Sequence, residues 1–90
     1  MNDKITLVAT QVDYDLAREA EANYETKSES CLVVQTVKRY FSAAELVFCG
    51  NVALTIDKTV WGLDHRAREL VNSFDDGKKI MLPAEFEIFR

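Results

Sequence analysis

Glycine, proline, cysteine and histidine are all scarce in this sequence, and each shortage argues against a class of protein. The 90 residues include three glycines, one proline, two cysteines and one histidine. Three isolated glycines cannot build a glycine-rich phosphate loop, and so little glycine and proline is untypical of collagen-like chains and linkers. No uninterrupted apolar run exceeds four residues, so no membrane-spanning helix is expected. The N-terminus lacks the pattern of a secretory signal, which predicts a cytoplasmic protein.

The remaining composition is the ordinary mixture of a globular protein. Hydrophobic residues make up 48% and charged residues 29% of the chain, which predicts one folded domain over residues 1–90. Fifteen acidic and eleven basic residues give a net charge of −4, and residues 1–29 hold seven of the acids and three of the bases. This local excess is either a solvated helix face or an acidic contact surface for a basic partner.

Direct binding of nucleic acid is not expected, because it requires clustered Lys and Arg. The candidate clusters, Lys38-Arg39 and Lys78-Lys79, are only dipeptides. Binding through Lys38-Arg39 would show a steep dependence on salt concentration.

The first 23 residues are predicted to form a strand and a helix. Alternating apolar residues predict a strand over Lys4–Ala9. Thr10, with Asp13 three residues later, predicts a capping box for a helix over Gln11–Asn23. Residues four apart would form its apolar stripe: Val12, Leu16, Ala20 and Tyr24. The opposite side would be exposed: Tyr14, Asp15, Arg18, Glu21 and Glu25.

The next segment predicts a polar loop over Glu25–Glu29 and a second helix over Cys31–Phe41, with Ser28 or Ser30 as its cap. Its apolar face would comprise Val33, Val34, Val37, Tyr40 and Phe41. Because β-branched residues are poor helix formers, a strand is the alternative. A strand would need alternation, which three consecutive apolar residues break. Leu32 lies off the stripe, so it either packs against another element or belongs to a partner surface.

The second half predicts a hairpin of two strands, Glu45–Cys49 and Val52–Asp57. Gly50-Asn51 would form its turn, with the glycine at positive φ. Residues 46–49 are all apolar, which is typical of a central strand. Trp61 is placed in the connection that follows, either as a lid on the core or as an anchor for a partner.

A third helix is predicted over His65–Phe74, with Asp64 as its cap and Gly77 as a left-handed residue after its end. A last strand is predicted over Ala84–Phe89. The order β-α-α-β-β-α-β indicates an α+β domain with a mainly antiparallel four-stranded sheet and helices on one face.

No catalytic, cofactor or metal site is expected, because the sequence contains no HExxH, GxSxG or EF-hand motif. His65 lies beside charged neighbours at a helix start, where a solvated side chain is expected. Cys31 and Cys49 are 18 residues apart and cannot form a zinc site with one histidine. They are expected to be buried in a reducing compartment. A disulfide requires that the fold bring them together, and Cys31, near a helix N-terminus, could be a reactive thiol.

Two segments carry a resemblance to known proteins. ESCLVVQTVKRYF, residues 29–41, resembles the C-P-V-A-x-A-L-R-R-A-F helix of small proteins encoded by phages and prophages. RARELVNSFDDGKKIMLPAEFEIF, residues 66–89, resembles their F-I-x-x-F-D-x-G-x-x-V-x-P-F-x-F-x-L ending. The sequence departs from the pattern at Leu32, where those proteins have proline. The resemblance implies a bacterial host cell and a mobile element, whose small acidic proteins often bind a host protein, as anti-CRISPR proteins bind defence complexes.

These observations predict a non-catalytic protein-binding module. An acidic surface of Tyr14, Asp15, Glu21 and Glu25 would meet the basic groove of a host complex that handles nucleic acid. The first alternative is a self-associating subunit that forms a homodimer when the last strand pairs at a free sheet edge. The second is a thiol-dependent enzyme or redox sensor built on Cys31.

Overall fold

The first and last strands of the chain are neighbours in one antiparallel sheet. The computed structural model describes residues 3–23 and 27–90, except for the side chain of Lys27. The elements are β1 (Lys4–Ala9), α1 (Gln11–Ala22), α2 (Lys27–Ser30), α3 (Leu32–Tyr40), β2 (Val47–Cys49), β3 (Ala53–Ile56), β4 (Thr59–Leu63), α4 (His65–Asp75) and β5 (Ala84–Phe89). The strand order is β1-β5-β4-β3-β2, and each neighbouring pair is antiparallel.

One face of the sheet and the helices form the core, which confirms the α+β class. Alternate strand residues point into the core and are buried: Leu7, Ala9, Val47, Cys49, Leu54, Ile56, Trp61, Leu63, Phe86 and Ile88. α3 contacts β1 and β2, and α4 contacts β4 and β5. α1 packs against α3. The helices therefore cover one face and leave the other face of the sheet open.

The central position of α3 explains why a valine-rich segment is helical. Its buried residues surround most of the helix: Leu32, Val33, Val34, Thr36 and Val37. A helix that is apolar on nearly all sides fits between a sheet and another helix, where packing outweighs weak helix propensity. Of the two alternatives for Leu32, packing against another element is the correct one, because its side chain is fully buried.

Several local predictions are confirmed. β1 and β5 have the predicted bounds, and Thr10 and Asp13 form the capping box of α1. Asp64 caps α4 by accepting a hydrogen bond from Ala67 N at 2.9 Å. Gly77 follows α4 with φ of 69°, a left-handed conformation that glycine adopts without a steric penalty.

The predicted four-stranded sheet is wrong, because β4 makes a fifth strand. The chain was predicted to leave the sheet after Asp57. Instead, Asp57 and Lys58 form a two-residue turn, because the residues on either side of them, Ile56 and Thr59, are paired. Asp57 has a φ of 54°, a conformation that Asp tolerates better than most residues. Trp61 therefore lies in β4, not in a connection. It is 6% exposed, which agrees with its role in the core.

The predicted central strand is also wrong, because β2 is an edge strand. Its outward residue Phe48 is 44% exposed. The hairpin to β3 exists, but Gly50 and Ala53 are joined by a backbone hydrogen bond of 2.8 Å, so Asn51 and Val52 form the turn. Gly50 does not have positive φ.

The segment before α3 differs from the prediction as well. Residues 27–30 form the short helix α2 rather than a loop, and the N-cap of α3 is Cys31 rather than a serine. Tyr24, Glu25 and Thr26 lie outside the described residues.

A buried carboxylate holds α1 against α3. The side chain of Asp13 is 1% exposed and accepts hydrogen bonds from Arg39 Nε and Nη2, both at 3.0 Å. It also accepts from Thr10 N at 2.9 Å and from the Thr36 hydroxyl at 3.2 Å. Burial raises the pKa of Asp13, but the hydrogen bonds from Arg39 and Thr10 outweigh burial and hold the pKa below its ordinary value.

The lowered pKa of Asp13 predicts a specific dependence of stability on pH. We expect Asp13→Asn to lower the free energy of unfolding by about 2–4 kcal/mol at pH 7, because Arg39 loses its charged partner. A carboxyl group with a lowered folded-state pKa stabilises the fold above its unfolded pKa of about 3.9, and this contribution is lost as the pH falls through the folded value. The difference between wild type and variant should therefore shrink below about pH 4. Urea unfolding of both proteins at each pH, monitored by Trp61 fluorescence, measures this difference in the free energy of unfolding.

The control is Asp15→Asn, which removes a carboxylate from the same helix at an exposed position. It should change the free energy of unfolding by no more than about 0.5 kcal/mol. A difference between wild type and Asp13→Asn that stays constant from pH 7 to pH 3 would contradict the role given to the charge.

Candidate protein-binding surfaces

The exposed face of α1 is not the one predicted from the sequence. Val12 and Leu16, expected in the core, are 62% and 47% exposed, whereas Asp13, Ala17 and Ala20 are buried. The reason is the position of Asp13, which must point towards α3 to meet Arg39. Small alanine side chains follow Asp13 on that face and allow α1 to lie close to α3.

Tyr14, predicted as an exposed contact residue, is half-buried, and this prediction is corrected. Its ring packs edge-on against Phe74 with 6.0 Å between ring centroids. Its hydroxyl accepts a hydrogen bond from Arg18 Nε at 3.0 Å. The Arg18 guanidinium also lies 4.1 Å from the centroid of the Phe74 ring and pairs with Glu21 at 3.1 Å. Tyr14 and Arg18 therefore fasten α1 to α4, and the charge of Glu21 is partly neutralised.

Of the predicted acidic residues, Asp15 and Glu21 are exposed, and Glu25 lies outside the described residues. Asp15 accepts a hydrogen bond from Gln11 Nε2 at 2.9 Å. Sequence reasoning missed Glu19, which is also exposed. Its spacing of four from Asp15 could have revealed it, since residues four apart lie on one side of a helix.

Four residues form a continuous exposed surface on this helix, and we call it the α1 outer face: Val12, Asp15, Leu16 and Glu19. They are spaced i, i+3, i+4 and i+7, so they share one side of the helix. Arg18 is directed towards Tyr14 and Phe74 instead of towards these carboxylates. The surface therefore combines two aliphatic side chains with two negative charges.

A second exposed apolar surface lies on the open face of the sheet, and we call it the outer sheet patch: Phe48, Val60 and Phe89. Their side chains are 44%, 63% and 43% exposed. Phe48 and Val60 are separated by one residue of β3, since both pair with Thr55. Phe89 pairs with Gly62, where an added Cβ would lie 2.5 Å from the Phe89 ring. Glycine at this position lets the aromatic ring lie flat across β4.

Acidic residues beside the patch are paired within the protein, whereas the exposed Lys4 lies opposite Phe89 in the register of β1 and β5. Arg66 contacts Asp64 at 3.0 Å and lies 3.7 Å from Glu87 and 3.9 Å from Glu85. β5 lies between β1 and β4, so the predicted pairing of the last strand at a free edge is wrong. The outer edge of β1 is itself occupied at Val8, whose N–H donates to the Tyr40 hydroxyl and whose carbonyl accepts from Arg39.

His65, the one histidine of the chain, is exposed at the start of α4. Among the residues that the structure describes, no cluster of three or more His, Cys, Asp or Glu side chains could hold a metal ion. In the same part of the chain, no helix is both long and apolar enough to cross a membrane. Cys31 and Cys49 are brought to one cavity, which the sequence could not predict.

Comparison with protein-family models, with curated proteins and with solved structures gave no match. The resemblance to phage-encoded proteins therefore stays a prediction.

The orientation of α1 predicts how its apolar residues respond to substitution. We expect Leu16→Ser to change the free energy of unfolding by no more than about 0.5 kcal/mol, because the side chain is already exposed. Leu70→Ser should lower the free energy of unfolding by several times this amount, since Leu70 in α4 is only 8% exposed. Urea unfolding of the two variants makes the comparison. Equal losses of stability would place Leu16 in the core and contradict this orientation.

Proposed function

We propose that the protein is a non-catalytic protein-binding module that docks through the α1 outer face onto a basic, partly apolar surface of another protein. The observation that carries the proposal is the exposure of Val12 and Leu16 beside Asp15 and Glu19. The fold does not use these aliphatic side chains, because α1 packs through Asp13, Ala17 and Ala20.

The chemistry of the surface suits a helix that lies in a groove. Aliphatic residues at i and i+4 on an exposed helix are the usual anchors in such complexes. Burial of both side chains would supply affinity, while the flanking carboxylates would speed association and select a positively charged partner. Asp15 and Glu19 are suited to this role, since neither forms an ion pair within the described residues.

The resemblance of residues 29–41 and 66–89 to phage-encoded proteins suggests the class of partner. A host complex that handles nucleic acid has a basic groove, to which an acidic surface is complementary. We propose a defence complex of a bacterial cell as this partner, in the manner of anti-CRISPR proteins. Inhibition would follow if the protein occupied the groove in place of nucleic acid.

Charge reversal on the α1 outer face tests the proposal. The immobilised protein is incubated with bacterial lysate, with and without nuclease treatment, and captured proteins are quantified by mass spectrometry. We expect the wild type to capture one stoichiometric partner. The Asp15→Lys/Glu19→Lys variant should bind this partner with an affinity at least about tenfold lower than the wild type, because two attractive charges become repulsive. The loss should be larger at low salt than at high salt. Leu16→Ser should weaken binding at both salt concentrations.

The matched control is Glu69→Lys/Asp76→Lys, which makes the same change in net charge at exposed positions near and in α4. This control should keep the wild-type affinity. Binding that survives reversal of Asp15 and Glu19, or that falls equally in the control, would rule out the α1 outer face. Capture that disappears on nuclease treatment would replace the proposal with binding of nucleic acid.

The outer sheet patch favours a second candidate function, self-association into a homodimer. Two antiparallel sheets can pack face to face, and an exposed apolar patch suits such contact. A two-fold axis through the patch would place Phe48, Val60 and Phe89 against the same residues of a second copy. This route differs from the edge pairing expected from the sequence, because β5 is an inner strand.

Sedimentation at increasing protein concentration tests this second function. We expect the wild type to approach twice the monomer mass at high micromolar concentration and Val60→Asp to remain a monomer, because a buried charge at the contact would oppose association. Val12→Asp, which places the same charge on α1, is the control and should associate like the wild type. A wild-type mass that stays monomeric at every concentration would exclude the homodimer.

A further inference from the structure

The fold brings the two cysteines of the chain to one cavity. Cys31 is the N-cap of α3, and Cys49 is the last residue of β2. Both line a cavity of about 300 Å³ that is also bordered by Ser28, Asn51 and Asp75. Both are free thiols and are 2% and 5% exposed. A small molecule in this cavity would lie beside both cysteines.

The Cys49 S–H group lies 3.2 Å from the carbonyl oxygen of Gly50, which accepts its hydrogen bond. Cys31 is a second acceptor for the same proton, and this interaction lowers the pKa of Cys31. A thiol has one proton, so Cys49 can donate to only one of these acceptors at a time. A negative charge on Cys31 would draw the proton away from Gly50, because a charged acceptor makes the stronger hydrogen bond.

The environment makes the two sulfur atoms unequal. The hydrogen bond from Cys49 lowers the pKa of Cys31, and although burial and the charge of Asp75 oppose this, the N–H groups of Val34 and Val33 add to the lowering. The same hydrogen bond, with burial, raises the pKa of Cys49 well above its ordinary value. Cys31 makes no capping hydrogen bond of good geometry, so the N–H groups act on it mainly through their dipoles.

We propose that Cys31 and Cys49 form a reversible dithiol–disulfide couple that exchanges with a small disulfide of the glutathione class through this cavity. The Cys31 thiolate attacks one sulfur of the small disulfide, whose S–S bond breaks as the other sulfur leaves and takes a proton. Cys49 then loses its proton and attacks Cys31 Sγ, which releases the second small thiol. The two protein thiols together lose two electrons, and the small disulfide gains these electrons and becomes two thiols.

The second step follows from the first. While Cys31 is a thiolate, its charge keeps Cys49 protonated. The mixed disulfide on Cys31 carries no charge at the sulfur, so the main cause of the raised pKa of Cys49 disappears. Cys49 can then ionise and act as the resolving thiol.

The product would join the start of α3 to the edge strand β2. Its effect on the surface would be local, because Phe48 of the outer sheet patch precedes Cys49 and borders the same cavity. The inference does not depend on the proposed binding function, since it rests on the two sulfur atoms and their cavity alone.

Trapping with oxidised glutathione tests the proposal on the whole folded chain. After incubation, the protein is acid-quenched, unfolded and alkylated, and its mass is measured. We expect the wild type to become an intramolecular disulfide that takes up no alkylating group and no glutathione. Cys49→Ser should accumulate a mixed disulfide on Cys31, because the resolving thiol is missing. Cys31→Ser should react at least about tenfold more slowly, since Cys49 is protonated and buried.

Two results would overturn the proposal. One is a folded wild type that keeps two alkylatable thiols under conditions that oxidise the urea-unfolded chain. The other is equal rates for Cys31→Ser and Cys49→Ser, which would show that the two thiols are not differentiated. Trp61 fluorescence confirms that each variant is folded, and the wild-type mass provides a test that does not depend on either variant. Addition of a reducing thiol should restore both free cysteines.

Discussion

The salt bridge between Asp13 and Arg39 is the interaction on which the arrangement of the helices depends. Because the Asp13 carboxylate is buried, it must face α3, and this requirement sets the rotation of α1 about its own axis. Arg39 is fixed in turn, and its Nη2 reaches the carbonyl of Val8 on the outer edge of β1. One ion pair therefore joins both helices to the sheet and occupies part of a strand edge that would otherwise be open.

The same constraint creates the candidate site. A helix rotated for maximum apolar burial would place Val12 and Leu16 in the core, as their spacing predicted. The observed rotation instead leaves both exposed and pairs the buried Asp13 with Arg39. The exposed aliphatic pair is thus a consequence of polar satisfaction. Its location beside Asp15 and Glu19 is what makes it suitable for binding.

Sequence reasoning succeeded where the signal was local and failed where a distant residue decided. The bounds of β1 and β5 and the caps at Thr10 and Asp64 follow from alternation and from side chains near their own backbone. The rotation of α1 depends on Arg39, 26 residues away from Asp13. β4 was missed because the turn before it contains no glycine, and Asp57 itself adopts the left-handed conformation. The meeting of Cys31 and Cys49 depends on the packing of α3 against β2, for which no local pattern exists.

α3 connects the proposed binding surface with the proposed thiol couple. Its C-terminal end carries Arg39, which orients α1, and its N-terminal end carries Cys31. The helix between them is buried on nearly all sides and close-packed, so it cannot shift at one end without displacing neighbours at the other. α3 therefore fixes the rotation of α1, and with it the exposure of Val12 and Leu16, at one end, and the position of the Cys31 thiol at the other.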